Sequence, residues 1–150
     1  MKIYLASSWR NARQPEVLKA LRDAGHEVYD FRNPVPGNAG FSWRQVSDIP
    51  PAEWTPQHYR EEVLTHPTAR RGFAYDMGAL SSAGATVLVL PCGRSAHLEL
   101  GYAVGNDQRT YVLFPDGKLD EPELMYLMCD RLVLSIGELL AALAEAEGHR

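Results

Sequence analysis

Two hydrophobic periods alternate along the chain. Lys2 to Ala6 is a short apolar run that stops at Ser7 and Ser8, and it predicts a first strand. A helix from about Ala12 to Ala24 follows, with Val17, Leu18 and Leu21 at helical spacing and Gly25 to end it. His26 to Phe31 predicts a second strand, so the first thirty residues read as a β-α-β unit with a right-handed crossover. The sheet is expected to be parallel.

Further along, Thr68 to Ala83 predicts a helix with Phe73, Met77 and Leu80 on one face. Ala85-Thr86-Val87-Leu88-Val89-Leu90, closed by Pro91, is the pattern of a strand buried on both faces. A glycine-bearing loop and a helix through Glu99 come next, until Gly105-Asn106-Asp107 breaks the chain. Thr110 to Phe114 then predicts a fourth strand and Leu132 to Leu134 a fifth. Ile136 to Glu147 closes the chain as an amphipathic helix with Ser135 near its cap. This alternation predicts an α/β, flavodoxin-like three-layer sandwich whose five-stranded parallel sheet has the order 2-1-3-4-5.

Between about 33 and 67 the pattern dissolves into prolines and glycines interleaved with Phe41, Trp43, Trp54 and Tyr59. That stretch is too aromatic for a disordered linker. It reads as an ordered insertion with a short helix near Gln57 to Leu64, in a chain expected to form one α/β domain over residues 1–150. Insertions of this length are commonly functional lids, and aromatic faces suit a flat heterocycle; the plainer reading is that the tryptophans fasten the insertion.

Composition narrows the function classes. With 150 residues, 45% of them hydrophobic, the chain is long enough to bury a core. A formal net charge of −4 argues against a partner that is a nucleic-acid polymer, although Arg70-Arg71 could serve one anionic substrate. Cys92 and Cys129 are too few for a disulfide framework and fit reduced thiols. Met1-Lys2 runs into Ile3 to Ala6 and then Ser7, Ser8 and Arg10, which fits no signal peptide, and no stretch has the apolar length of a membrane helix. A cytoplasmic protein with no membrane partner is expected.

The most informative feature is Glu99, an ionisable group among Leu98, Leu100, Tyr102, Ala103 and Val104. If Ser95 caps the helix, Glu99 lies one turn in, and its side chain leans back toward the crevice above the strand's carboxyl end, where open α/β sheets bind ligands. An ordinary first-turn acid favoured by the helix dipole is the competing reading. Before the first helix, Ser7, Ser8, Trp9 and Arg10 lack the dinucleotide-binding glycine spacing, and no Walker-type motif occurs. Those side chains could hold a phosphate or a sugar hydroxyl, whereas helix capping by Ser8 or Asn11 is the plainer alternative. Cys92 and His97 suggest a thiol mechanism, but no third residue orients them. His97-Leu98-Glu99 mimics the H-x-E of zinc deaminases without the required cysteine pair, so no metal is expected. Asp76 is a second acid on a largely apolar helix, as a divided acid and nucleophile pair would need, and an exposed helix aspartate is the competing reading.

Taken together, Tyr4 within Ile3-Tyr4-Leu5-Ala6-Ser7-Ser8-Trp9, Asp76, and Ser95 to Ala103 with its Glu99-Leu100-Gly101-Tyr102-Ala103 segment resemble the nucleoside 2-deoxyribosyltransferase family and its nucleotide N-glycosidase relatives. The resemblance spans residues 2 to about 114. It implies a flavodoxin-like fold, a homodimer or higher oligomer, and Glu99 as the nucleophile that attacks the anomeric carbon. Tyr4 would orient that carboxylate and Asp76 would assist proton traffic with the base. A carboxylate nucleophile divides glycosyl transfer into two displacements through a covalent ester, without a cofactor. Where several members carry a base-recognising acid after the third strand, this chain has Pro91-Cys92. Gly93, Arg94 and Ser95, with Ser7, Ser8, Trp9 and Arg10 opposite, would bind substrate and suit a 5'-phosphate. The competing functions are a Toll/interleukin-1-receptor-like NAD glycohydrolase or signalling module, and a non-catalytic nucleotide-binding protein.

Overall fold

A computed structural model describes residues 1–148, which fall into two compact units, Met1 to Asp30 with Leu80 onward, and Phe31 to Ala79. The first holds the sheet. Its elements are β1 (Lys2–Ala6), α1 (Gln14–Asp23), β2 (Glu27–Tyr29), β3 (Ala85–Val89), α4 (Arg94–Gly105), β4 (Arg109–Leu113), β5 (Arg131–Val133) and α5 (Ile136–Gly148). The second unit supplies α2 (Pro56–His58) and most of α3 (Pro67–Ser82).

All five strands pair in parallel, in the order β2-β1-β3-β4-β5, so the expected flavodoxin-like arrangement is the observed one. Side chains alternate across the pleat and divide the strands between two layers. Ile3, Leu5, Val28, Ala85, Val87, Val89, Tyr111 and Leu113 join Val17, Leu18 and Leu21 of α1 and Leu139, Ala142 and Leu143 of α5 in one apolar core. The opposite face carries Tyr4, Ala6, Thr86, Leu88 and Val112, which share register, and α4 packs against β1, β3 and β4 through Ala96, Leu100 and Ala103. Central β3 is buried at every residue, as its uninterrupted apolar run requires.

Local chemistry fixes the helix ends. At the end of α1, Gly25 takes a φ of 89° while its amide donates to Arg22 O and that of His26 to Leu21 O, the paired bonds of a Schellman cap. Helix α4 ends the same way, with Gln108 N donating to Ala103 O and Asp107 N to Val104 O. There the left-handed residue is Asp107, with a φ of 54°, and not the neighbouring Gly105. Ser135 caps α5 as expected: its Oγ accepts from Glu138 N at 3.1 Å.

Two capping expectations are corrected. The N-cap of α4 is Gly93, which has no side chain to offer, and Ser95 lies inside the first turn. Neither Ser8 nor Asn11 caps α1, whose N-cap is Arg13; both side chains serve the loop that precedes it.

In the second unit, the expected helix near Gln57 to Leu64 is one α-turn, α2, continued by a π-turn over Tyr59–Val63. The aromatic residues of the insertion pack on one another. Trp43 meets Phe41 at 4.9 Å and Trp54 at 5.4 Å, both edge-on, and Trp54 stacks on Tyr59 at 6.0 Å. Gly72 on α3 lets Phe41 approach, because a Cβ there would stand 3.3 Å from the Phe41 side chain.

Candidate active site

Two loops leave the carboxyl ends of the central strands β1 and β3, and one side chain ties them together. Asn11, 3% exposed, donates through Nδ2 to Val89 O and Pro91 O, each at 3.2 Å, and to Ser7 Oγ at 3.0 Å. Its Oδ1 accepts from Arg13 N at 2.9 Å, and Ser7 Oγ in turn donates to Val89 O at 3.0 Å. The loop carrying Ser7, Ser8, Trp9 and Arg10 is thus fixed beside the turn carrying Cys92, Gly93, Arg94 and Ser95. Trp9 is half exposed, and the side chains of Arg10 and Arg94 make no ion pair among the described residues.

Helix α4 starts at this turn, so its unpaired N-terminal amides face the same end of the sheet. Glu99 is half-buried, one helical turn from the buried Ala96 and Ala103, and borders the stripe that packs on the sheet. Its charge reaches back to the turn. Burial first, and the Glu99 carboxylate second, push the Cys92 thiol up to about 12. At neutral pH Cys92 is therefore a neutral thiol, and a thiolate mechanism has no support.

His97, one turn inside α4, reaches back to the same turn. Its Nδ1 lies 2.8 Å from Gly93 O, an obligate acceptor, so Nδ1 carries the proton, and Nε2 accepts from Tyr126 Oη at 2.8 Å. Cys92 Sγ is 3.7 Å from the same Nδ1. Tyr126 belongs to a 3₁₀ segment, Leu124–Met128, and burial is the main cause that pushes its phenol up to about 12. No group of three or more His, Cys, Asp or Glu residues that could hold a metal occurs among the described residues.

Tyr4 is buried in the middle of β1, on the sheet face that α4 covers, and its ring stacks on Tyr29 at 5.3 Å. Asp76 lies on α3 in the second unit and is half-buried. Tyr126 carries no signal in the sequence, because nothing in Leu124-Met125-Tyr126-Leu127-Met128 marks one aromatic residue for a polar contact. Local pattern marks Asn11 only as a candidate cap. The buried bridge in which Thr86 Oγ1 donates to Gln108 Oε1, and Gln108 Nε2 to Leu80 O, was also invisible.

No protein-family model and no curated protein matches the chain. A solved 2-deoxyribosyltransferase from the psychrotolerant bacterium Bacillus psychrosaccharolyticus, described as a biocatalyst for nucleoside synthesis, superposes over 93% of this chain and 90% of its own. The TM-score is 0.61 and the sequence identity 21%. The chain shares the 2-deoxyribosyltransferase fold. The similarity in architecture extends over nearly the whole length of both chains. Among the described residues, no helix is long and apolar enough to cross a membrane.

Proposed function

We propose that this protein cleaves or transfers the N-glycosidic bond of a nucleoside, deoxynucleoside or nucleoside 5'-monophosphate through a covalent ester on Glu99. The observation that carries the reading is the half-buried Glu99 on the helix that starts at the carboxyl end of β3, in a fold shared with a 2-deoxyribosyltransferase. A Glu99 oxygen attacks the anomeric carbon as its bond to the base nitrogen breaks, through a transition state with oxocarbenium character. Water or a second base then attacks the same carbon and releases the carboxylate. Water yields a hydrolase and a base yields a transferase.

Tyr4 orients the carboxylate in this reading. Ser7, Ser8, Trp9, Arg10, Gly93, Arg94 and Ser95 bind the sugar and its 5'-substituent, and the guanidinium groups of Arg10 and Arg94, which make no ion pair among the described residues, favour a 5'-phosphate. Protonation of the departing base is assigned to Asp76 by family resemblance. The reaction needs no cofactor. A homodimer or higher oligomer in the cytoplasm is also proposed. It is supported by the large apolar side chains that Leu98 of α4, Leu124 and Leu127 of the 3₁₀ segment, and Leu132 of β5 leave in solvent.

The test is base release from a panel of nucleosides, deoxynucleosides, their monophosphates and NAD, with and without an acceptor base. Release from the nucleosides or monophosphates that disappears in Glu99→Gln, together with a glycosyl adduct on Glu99 by mass spectrometry, supports the reading. Release from NAD alone would transfer the chain to the glycohydrolase reading. Binding without turnover would make it a nucleotide-binding protein. Asp76→Asn is expected to slow release most for substrates whose bases leave poorly.

A further inference from the structure

We infer that His97 and Tyr126 are positioning residues for Glu99, acting through the turn at Cys92-Gly93; the inference rests on the reading of Glu99 as the nucleophile. The geometry is a chain of directed bonds. Tyr126 Oη donates to His97 Nε2, and His97 Nδ1 donates to Gly93 O, both at 2.8 Å. Gly93 is the N-cap of α4, and its carbonyl also begins the helical hydrogen-bond ladder.

An N-cap glycine has no side chain to fix the entry angle of the chain, and the cap of α4 makes no side-chain hydrogen bond. His97 supplies that fixation from one turn inside the helix. Tyr126 removes the remaining freedom of the imidazole by occupying its other nitrogen and stacking on its face, with ring centroids 5.8 Å apart and planes inclined by 12°. The same turn carries Cys92, the thiol that lies within the field of Glu99. Movement of the turn therefore moves a wall of the nucleophile's surroundings and the start of the helix that carries it. Misplacement of a reacting group by about 1 Å can cost on the order of a hundredfold in rate.

His97 offers a selective test, because Asn places a donor near the Nδ1 position and Gln places a polar group near Nε2. Steady-state base release is compared for wild type, His97→Asn, His97→Gln and Tyr126→Phe, at a temperature where each variant is folded. His97→Asn is expected to keep kcat within about threefold, whereas His97→Gln loses about tenfold or more in kcat with KM nearly unchanged. Tyr126→Phe is expected to fall between them and to add nothing further in the His97→Asn background. Equal losses in the Asn and Gln variants, or changes confined to KM, would overturn the inference.

A second readout does not depend on turnover. Nitrogen NMR of the histidine ring at pH 8 is expected to show His97 protonated on Nδ1, and the Tyr126→Phe variant to show a mixture of tautomers. His97 protonated on Nε2 would overturn the clamp even in an active enzyme. A wild type that releases no base, yet shows the Nδ1 tautomer, would sink the nucleophile reading while leaving the clamp as a structural finding.

Discussion

Cys92, just before the Gly93 N-cap of α4, and Glu99, inside that helix, share one electrostatic neighbourhood, in which the carboxylate opposes ionisation of the thiol. Burial is the larger cause and the charge the smaller. Glu99→Gln removes only the charge, so the Cys92 thiol is expected to titrate lower than in wild type and still above an ordinary cysteine. The check is the pH dependence of iodoacetamide labelling at Cys92, followed peptide by peptide because Cys129 is a second free thiol. An unchanged labelling profile would show that the carboxylate is turned away from the turn.

Asn11 is expected to be a stability hot spot as well as a site scaffold. Asn11→Ala strips donors from the buried carbonyl of Val89 and from Pro91 O, and should cost about 1–3 kcal/mol. Asn11→Asp should cost more, since it turns a carboxylate oxygen toward acceptors. Urea unfolding of the two variants measures both, and any substrate affinity of the Ser7 to Arg10 loop should fall with them.

Acidification should weaken the fold through His26. Its pKa is lowered, first by burial and next by the α-amino group of Met1 beside it, while Glu147 pulls the other way. As the pH falls below 6.5, the ordinary value, the unfolded chain takes up a proton that the folded chain still refuses. Unfolding free energy therefore declines from that pH downward, by at most about 1.4 kcal/mol per pH unit, until the lowered folded value is passed. The decline should be missing from His26→Asn when denaturation is compared between pH 8 and pH 5.

Tyr4 separates fold from chemistry. Tyr4→Phe keeps the ring that stacks on Tyr29, so its melting temperature should stay near that of wild type while base release slows by about tenfold, less than in Glu99→Gln. Tyr4→Ala empties a position that is 1% exposed and should cost about 3–5 kcal/mol. A Tyr4→Phe enzyme with wild-type kcat would remove the orienting role.

Much of this protein was legible in its residues alone. Short apolar runs and period-3.6 stretches marked five strands and their flanking helices to within two residues, because burying an apolar face imposes its pattern on the sequence. Strand β1 fell on Lys2–Ala6 as read, and Gly25 marked a real helix end because that position needs a positive φ. Right-handed crossovers then left the order 2-1-3-4-5 as the simplest parallel sheet. Glu99 stood out for the same reason, since an acid bordering an apolar stripe breaks the period.

Tertiary structure decided what local pattern cannot encode. Gly93 and not Ser95 caps α4, and the bonds of His97 to Gly93 O and to Tyr126 at that turn join residues that no local pattern pairs. Asn11 serves two loops and not one helix, since its partners Val89 and Pro91 lie about eighty residues away. Residues 31–79 close on themselves as a second compact unit, larger than the insertion of 33–67 that prolines and tryptophans outlined. A single-chain pattern records which residues avoid water; which polar atoms then meet, and so which groups surround Glu99, is fixed only when distant segments are packed together.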